Sequence, residues 1–516
     1  MSESGDGNDN RGSIQAEAPR GHDVPDGSHQ TFALSDPEAI REAELSQRYG
    51  KMNIFQKHLM EIIFMFFMFS STIITTPRTQ IFLEKACVLN LHLNDSICDR
   101  ITNVINHDYY VAAARITKTT ALARDIVSSI PGAICSVIAG QYMTRYGAKL
   151  PLILAVLGSL VSLTADLYTF IQRDIPLYVN IFTAIPQALT GGIIVFMTAI
   201  FSSVTWTCPS EERKERFLMI QFFIFLPMLL GTFLGGYVEK HSGVACLAAL
   251  IFFGFAVSLA MLLWLYEDTA VSESARKETL LEAWRHSTSL ETFKMSYSFL
   301  KRKRPGHAKI QIISMVFCLI LGVIAFTGTA DLDQLYVTQT FGWSSDLYGV
   351  LKAVVMLITF VLSIPSMLIL TKVFKFSDPM LVTLGFASVA LKAALMSVLS
   401  LGVSMFIIPS IVGLPFIVGL TAVRSHISRL LEVHEVAVVF ALISACESLV
   451  PAIADIGVTA IYNSTLDFFP GLVYLVEGVV FLIPMAVAFM CYRWTQVEGY
   501  PNYKNLNDEV KAGEES

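Results

Sequence analysis

Twelve long apolar runs divide this sequence and restrict its fold more than any other feature. A helix needs roughly 20 mostly apolar residues to cross a hydrocarbon core about 30 Å thick. The runs are too long and too uniformly apolar for the alternating strands of a barrel, so they predict an all-α membrane protein with twelve transmembrane helices. In order, these predicted spans 1 to 12 are Leu59–Phe82, Ile126–Met143, Leu150–Phe170, Leu177–Val204, Phe217–Val238, Val244–Tyr266, Ile310–Val337, Leu347–Lys372, Met380–Leu401, Met405–Ser425, Val436–Tyr462 and Pro470–Tyr492.

The composition agrees with a membrane protein and excludes two other classes. Only 16% of the 516 residues are charged and 53% are hydrophobic, whereas soluble domains carry about 25% charged residues. The formal net charge of -6 also argues against nucleic acid as a partner, because nucleic-acid binding requires a basic surface.

Polar segments divide the chain into five regions. Residues 54–266 and 310–492 each hold six spans and are predicted to form two six-helix bundles. Residues 267–309 form a central loop between them, while the polar segments 1–53 and 493–516 form tails. Because residues 1–53 show no apolar periodicity, we expect a disordered N-terminal tail.

Basic residues predict the orientation in the membrane. With both termini cytoplasmic, the inner loops carry Lys and Arg, including Arg213, Arg216 and the cluster Lys301–Arg304. The outer loops carry fewer basic residues, apart from the long loop before span 2, which holds Arg115 and Lys118. The two glycosylation sequons, at Asn94 and Asn463, fall on the outer side in the same topology.

The cysteine and histidine patterns do not indicate an enzyme or a metal site. Of eight cysteines, only Cys87 and Cys98 lie in an outer loop, where oxidising conditions permit a disulfide; the sequence leaves open whether they pair. The ten histidines are scattered, and no catalytic or metal-ligating motif occurs in a fitting context. We therefore predict no catalytic residues, no cofactor and no metal.

Two charged residues inside the predicted spans are candidates for substrate or proton handling, because an ionisable group near the bilayer centre costs roughly 2.5–3.5 kcal/mol. Glu447 lies about 16 Å into span 11 at 1.5 Å per residue. It is either a proton- or substrate-handling group or a helix-packing carboxylate. Arg424, in span 10, either binds an anionic group through its fork of donors or is a topology arginine.

Further polar residues extend the candidate set. Asp331, near the outer part of span 7, is predicted to pair with Lys352, either as a structural contact or as an outer gate. Gln187 on span 4 and Gln221 on span 5 suit a cavity wall or close packing. Arg78 either faces the cavity or snorkels outward, and Asp166 on span 3 is expected to snorkel or pair.

The loop between spans 2 and 3 resembles a signature of the major facilitator proteins, G-x-x-x-D-R-x-G-x-[RK]. Gly140, Arg145, Gly147 and Lys149 match it, while Thr144 replaces its acid. The resemblance implies a cytoplasmic gate loop that latches the two bundles together, with one ion pair missing here.

Other stretches resemble solute carrier family 46, the group that contains the proton-coupled folate transporter. They are Pro77–Gln80, Phe201–Val204, Gly328–Tyr336, Val423–Leu431 and Ala445–Leu449. The resemblance implies the major facilitator fold of two six-helix bundles.

The resemblance also assigns expected roles to individual residues. Arg424 matches an arginine tied to substrate and proton handling, and Asp331 matches an acid of span 7. Gln221 and Phe326 stand where the folate transporter has a proton-coupling glutamate and a pH-sensing histidine. Gly342 replaces a cysteine of a cross-loop disulfide, which leaves Cys87 and Cys98 for each other.

The sequence therefore predicts a transporter that works by alternating access. Its expected substrate is a small organic solute, anionic and either folate-like, muropeptide-like or another organic anion, with protons as a possible coupling ion. The expected location is the plasma membrane or the lysosomal membrane. The alternatives are a proton-independent uniporter and a non-transporting receptor or scaffold with the same fold.

Overall fold

The computed structural model describes an all-helical protein in two units, Met1–Glu44 and Leu45–Ser516. The described residues are 37–94, 98, 107–172, 174–209, 212–268, 282, 304, 306–327, 333, 345–398, 404–431, 435–465, 469 and 471–499. The predicted all-α fold class is confirmed for these residues.

Ten helical segments of the described chain are long and apolar enough to cross a membrane. They are Leu59–Asn90, Thr119–Tyr146, Lys149–Ile171, Val179–Thr207, Glu215–Glu239, His241–Trp264, Leu351–Val373, Asp378–Ser397, Ile407–Leu430 and Leu472–Glu498. The runs predicted as spans 7 and 11 form helices Ala308–Thr327 and Val436–Thr465, whose apolar stretches Ala308–Ile324 and Val436–Val450 are shorter. That these two helices also cross the membrane, which would bring the count to twelve spans, stays a prediction.

Two predicted boundaries are wrong. Residues Pro37–Lys51 form a helix, although residues 1–53 were expected to be disordered. Ala, Glu, Leu and Arg favour a helix in this segment even without an apolar stripe, and its proline occupies the first helical position, where it is tolerated. The helix of span 2 begins at His107, so Arg115 and Lys118 belong to that helix and not to a loop.

Spans 1, 4 and 10 are interrupted helices. Span 1 consists of Leu59–Thr72 and Thr75–Lys85, followed by a π-helical turn at Ala86–Asn90. Span 4 consists of Val179–Phe182, Ile185–Thr190 and Gly192–Thr207, and span 10 of Ser404–Val412 and Leu414–Leu430.

Glycines permit two of these features. Gly191 and Gly192 break span 4 with φ angles of 73° and 41°, a backbone region that glycine adopts without a steric penalty. Gly235 of span 5 lies against the break of span 1, where an added Cβ would be 2.0 Å from the Ile73 carbonyl oxygen. Interrupted helices of this kind commonly lie at the moving centre of transporters.

A buried carboxylate ties four spans of the first half together. Asp166 of span 3 is fully buried and accepts two hydrogen bonds from Arg124 of span 2, at 2.9 and 2.8 Å. It accepts two more from Arg78 of span 1, at 2.8 Å, and from the Thr183 hydroxyl of span 4, at 2.5 Å. Asp166 and Arg78 are therefore paired with each other. The further partner of Asp166, Arg124, lies just outside the apolar run that was predicted as span 2.

The two halves contact each other at one end of the bundle, which we call the tail side because Leu45–Lys57 lie there. The opposite end, with Cys87 and Cys98, is the loop side. On the tail side, Ser136 of span 2 donates a hydrogen bond to the Ala441 carbonyl of span 11, at 3.4 Å. Arg213 bridges the ends of spans 4 and 10, since it donates to the carbonyls of Thr205 and Ser428 at 3.4 and 3.5 Å. The tail side is therefore closed in this conformation.

The closure of the tail side can be tested by a substitution at Gly140, because the α-carbon of this residue faces span 11 of the other half. A Cβ at position 140 would lie 2.4 Å from the Ala441 Cβ and 2.9 Å from the Ala437 carbonyl oxygen. We expect Gly140→Ala to push the halves apart on the tail side. Spin labels at Glu215 and Lys372, whose side chains meet across the same boundary at 3.3 Å, would then report a longer distance.

A matched control is Gly457→Ala in span 11, because a Cβ there meets nothing within 4 Å. This variant should leave the distance between the labels unchanged. The same distance in Gly140→Ala and in the parent chain would contradict the proposed contact.

Candidate substrate site

Arg424 lies in the tail-side half of span 10, on the segment Leu414–Leu430. The segment begins just after Gly413, with Pro415 in its first turn, where a proline is tolerated. Arg424 lies six residues before Leu430, about 9 Å from that end of the helix at 1.5 Å per residue. The residue is 8% exposed, so its charge is removed from bulk water and requires a partner.

That partner is Glu447 of span 11. The Arg424 Nη2 donates a hydrogen bond to the Glu447 Oε1, and the two side chains are 9% and 16% exposed. The structure thus brings together the two charged residues that the sequence singled out separately. A buried pair of this kind is neutral as a whole, but removing either partner leaves an uncompensated charge.

An aromatic ring from the first half covers the other side of Arg424. The Arg424 Cζ lies 4.2 Å from the ring centre of Phe201 in span 4, within the range of a cation–π interaction. The Phe201 ring also contacts Phe217 and Phe440, with centroid distances of 6.0 and 6.1 Å. These rings form a layer between the two halves on the tail side, and the charged pair lies against it.

This arrangement allows an exchange of partners at Arg424. Among the described residues, the Nε of Arg424 is buried and has no hydrogen-bond partner. A guanidinium can bind a planar anion through two parallel hydrogen bonds. An anionic group that reached Arg424 would therefore compete with Glu447.

The structure shows no hydrogen bond between the other predicted substrate residues and this pair within the described part of the chain. Gln221 is half-buried on span 5, and Gln187 is half-buried on span 4, where it packs against Gly192. Within the described part of the chain, neither glutamine is hydrogen-bonded to Arg424 or Glu447. Asp331 lies outside the described residues, so its pairing with Lys352 stays a prediction. Lys352 binds Asp333, which also accepts a hydrogen bond from the Tyr474 hydroxyl at 2.9 Å.

The gate loop is anchored within the first half. Lys149 donates to the carbonyls of Leu263 and Tyr266, at 3.1 and 2.9 Å, so its side chain caps the end of span 6. The Asp268 carboxylate in turn accepts from the backbone N–H groups of Ala148 and Lys149, at 2.8 and 3.0 Å. Burial raises the pKa of Asp268. The cross-bundle latch implied for Lys149 is therefore wrong here, because these carbonyls hold its ammonium group.

The remaining members of that loop have separate roles. Gly147 has a φ of 92° and makes the tight turn that was expected of it. The Arg145 guanidinium lies over the Tyr146 ring at 5.5 Å. Gly140 contributes the contact with the second half described above.

The sequence reasoning missed several residues around these sites. Phe201 carries no signal of its own, because aromatic residues are common in apolar spans. Arg213 was counted only as a basic residue of an inner loop. Arg216 was also counted only as a basic residue of an inner loop, but it binds the buried Glu61 of span 1 at 2.6 Å. Glu61 lies near the start of an apolar run, and a carboxylate at such a position is a signal that could have indicated this pair.

The outer-loop residues are placed as follows. Cys87 and Cys98 form a disulfide with a Cα–Cα distance of 5.8 Å. Asn94 is exposed between them, and the backbone of Asn463 lies near the end of the span 11 helix; glycosylation of both stays a prediction. Within the described ranges, no group of three or more His, Cys, Asp or Glu residues is placed to hold a metal ion.

Comparison with known proteins identifies the family. The sequence profile of the Major Facilitator Superfamily matches residues 60–454. This chain belongs to the Major Facilitator Superfamily. As a major facilitator protein, it is a multi-pass membrane transporter for a small organic solute and not an enzyme, as the sequence predicted.

The relatives of this major facilitator chain confirm the resemblance to solute carrier family 46. The probable peptidoglycan muropeptide transporter SLC46 of Drosophila melanogaster is 21% identical over 435 residues, which cover 80% of this chain and 82% of that protein. The lysosomal proton-coupled steroid conjugate and bile acid symporter SLC46A3 of Bos taurus is 24% identical over 373 residues, with coverages of 70% and 77%.

Solved structures share the major facilitator fold at low sequence identity. The human organic anion transporter MFSD10 superposes with a TM-score of 0.62 and 12% identity, covering 84% of this chain and 99% of that one. The proton:xylose symporter XylE gives a TM-score of 0.58 and 14% identity, with coverages of 86% and 96%.

A double-mutant cycle tests the contact between Phe201 and Arg424. We expect Phe201→Leu and Arg424→Met to be coupled by about 0.5–2 kcal/mol, the range for a cation over an aromatic ring. The free energy of unfolding of the purified protein, measured by SDS titration, would give this coupling.

Phe217→Leu is the matched control, because Phe217 belongs to the same aromatic layer but packs against the rings of Phe201 and Phe440. Its coupling to Arg424→Met should be clearly smaller. Equal coupling energies for the two phenylalanines would show that the layer contributes packing alone.

Proposed function

We propose that this transporter moves an amphipathic organic anion by alternating access and couples that movement to protons. Arg424 supplies the positive charge for the anion, and Glu447 carries the proton. The observation that supports this proposal is the charged pair between spans 10 and 11, which a ring of the opposite half covers.

The first step is the exchange of partners at Arg424. In the conformation described, Glu447 occupies the guanidinium and the tail side is closed, so solute reaches the pair from the loop side. Protonation of Glu447 removes its charge and weakens its hold on Arg424. The anion then binds the freed guanidinium, and the site remains neutral overall, which limits the cost of moving it through a low-dielectric region.

Alternating access then requires the halves to separate on the tail side. The contacts that must break include the close approach of Gly140 to span 11, the exposed ion pair of Glu215 and Lys372, and the hydrogen bond of the buried Arg213 to Ser428. Release of the anion and the proton lets Glu447 return to Arg424. The interrupted helices of spans 4 and 10 provide points at which the segments beside the site can bend.

The substrate class follows from the charge and the ring together. Arg424 selects an anionic group, and Phe201 offers an apolar face beside it. The names of the relatives include muropeptides, steroid conjugates and bile acids, and all of these combine an anionic group with a larger body. We place the protein in the plasma membrane or the lysosomal membrane with the tail side cytoplasmic, in agreement with the distribution of basic residues.

Uptake into proteoliposomes tests the mechanism. Purified protein would be reconstituted with an acidic outside, and uptake of radiolabelled taurocholate, estrone sulfate and a muramyl dipeptide would be measured with and without a protonophore. We expect uptake of at least one probe to fall when the proton gradient collapses. In Glu447→Gln, uptake at neutral and acidic pH should become equal, because the amide can neither gain nor lose a proton.

Two further variants make this test specific. Arg424→Gln should abolish uptake of the anions at every pH, because the counter-charge is lost. Glu84→Gln, at an exposed carboxylate of span 1 that contacts Gln80, is the matched control and should keep the pH dependence. A pH dependence that survives in Glu447→Gln contradicts the role of Glu447, and uptake that ignores the gradient in the parent chain indicates a uniporter. Binding without any uptake would instead indicate a receptor.

A further inference from the structure

The Asp166 cluster on the loop side holds more positive than negative charge, and the transport mechanism above does not use it. Asp166 lies five residues before Ile171, the end of the span 3 helix. That position is about 8 Å from the helix end at 1.5 Å per residue. The cluster is therefore near the loop-side surface and far from Arg424.

Arg124 alone is sufficient to satisfy Asp166. Its two terminal nitrogens bind both carboxylate oxygens, at 2.9 and 2.8 Å. The Arg124 Nη1 also donates to the Asn180 carbonyl and the Thr183 hydroxyl, at 2.5 and 2.6 Å. The side chain of Arg124 is 6% exposed and that of Asp166 is fully buried, so they form a complete, neutral, bidentate pair.

Arg78 adds a second guanidinium to a carboxylate that is already paired. Only its Nη2 is bonded to Asp166, at 2.8 Å. Among the described residues, its buried Nε has no hydrogen-bond partner. The side chain is 23% exposed, and its Nη1 is neither hydrogen-bonded to a described residue nor one of the buried unsatisfied atoms, so an anion in the adjoining solvent can reach the Nη1. Arg78 therefore keeps donors for another anion.

The surrounding charges do not neutralise this surplus. Lys85, which is 4% exposed, adds a further positive charge about two helical turns after Arg78 and donates to the Thr169 carbonyl at 2.6 Å. The acids that act on these cations are Asp125, near Arg124, and Asp174, near Lys85. Both acids are exposed, so water and salt screen their charges.

The corresponding acid of the second half has no such surplus among the described residues. Asp333 binds one cation, Lys352, and one neutral hydroxyl, that of Tyr474. The excess of cations is thus a property of the Asp166 cluster and not a general feature of the loop side.

We infer that Arg78 is the recognition group of a second anion site, at the loop-side ends of spans 1 to 3. The site takes a carboxylate, sulfate or phosphate group through the free donors of the guanidinium. Such a group belongs either to a soluble anion on the loop side or to the headgroup of an anionic phospholipid. Arg124 positions Asp166 and does not itself contact the anion.

A purely structural role for Arg78 predicts a different behaviour. If Arg78 served only to clamp Asp166, Arg78→Gln would destabilise the protein even without an anion, as we expect Arg124→Gln to do because it strands the buried carboxylate. If Arg78 is a surplus cation, Arg78→Gln leaves the neutral pair intact. The melting temperature of the anion-free protein should then stay within about a degree of the parent chain.

Thermal unfolding of the purified full chain tests the site. One arm titrates inorganic sulfate and phosphate against sodium chloride of equal ionic strength, in neutral detergent. The other arm compares nanodiscs of phosphatidylcholine with nanodiscs that contain phosphatidylglycerol. The variants are Arg78→Gln, Arg78→Lys, Arg124→Gln and Arg424→Gln.

The Arg78 variants are made in the Arg424→Gln background, where the transport site has lost its counter-charge, and there we expect an anion-dependent rise in melting temperature that Arg78→Lys reduces and Arg78→Gln loses. A rise with sulfate or phosphate supports a soluble anion as the ligand, and a rise only with phosphatidylglycerol supports a lipid headgroup. A rise that persists in Arg78→Gln, no rise in either arm, or an anion-free Arg78→Gln as unstable as Arg124→Gln would overturn the inference. Because the measurement does not depend on Arg424, a negative result for the Arg78 site is separate from a failure of the proposed transport mechanism.

Discussion

The cost of placing the Arg424 charge between the two halves of the bundle governs the rest of the structure. A guanidinium that is 8% exposed requires a counter-charge, and Glu447 of the next span supplies it. The covering ring comes from the opposite half, so the charged pair depends on how the halves meet. Any movement that separates Phe201 from Arg424 changes the environment of the pair. Conversely, any anion that displaces Glu447 changes the boundary between the halves.

The closure of the tail side combines close packing with one exposed ion pair, Glu215 with Lys372, and the Arg213 hydrogen bond to Ser428. Gly140 lets spans 2 and 11 approach, and the rings of Phe201, Phe217 and Phe440 fill the boundary beside them. The charges of the gate loop are used within the first half, where Lys149 caps span 6. Packing contacts can be broken without stranding a buried charge, which suits a boundary that opens in every transport cycle.

The fold class and the candidates Arg424 and Glu447 could be predicted from the sequence, because both follow from the free energy of transferring side chains from water into the bilayer. Apolar runs of sufficient length must be helical in a bilayer, and Glu447 and Arg424 are costly wherever they lie in such runs. Their pairing depends on the register between spans 10 and 11, which no local pattern encodes. Arg124 escaped notice because the helix of span 2 extends well beyond its apolar run, and the helix Pro37–Lys51 was missed because it has propensity without an apolar stripe.

Access of water to position 447 tests the central idea most directly. A Glu447→Cys variant, in a chain whose other free cysteines are replaced by serine, would be treated with a membrane-impermeant thiosulfonate from each side of oriented vesicles. We expect reaction from the loop side in the closed-tail conformation, and reaction from the tail side once the halves separate there. Modification only by a lipid-soluble maleimide, with no reaction from either aqueous side, would contradict a water-filled passage at the charged pair.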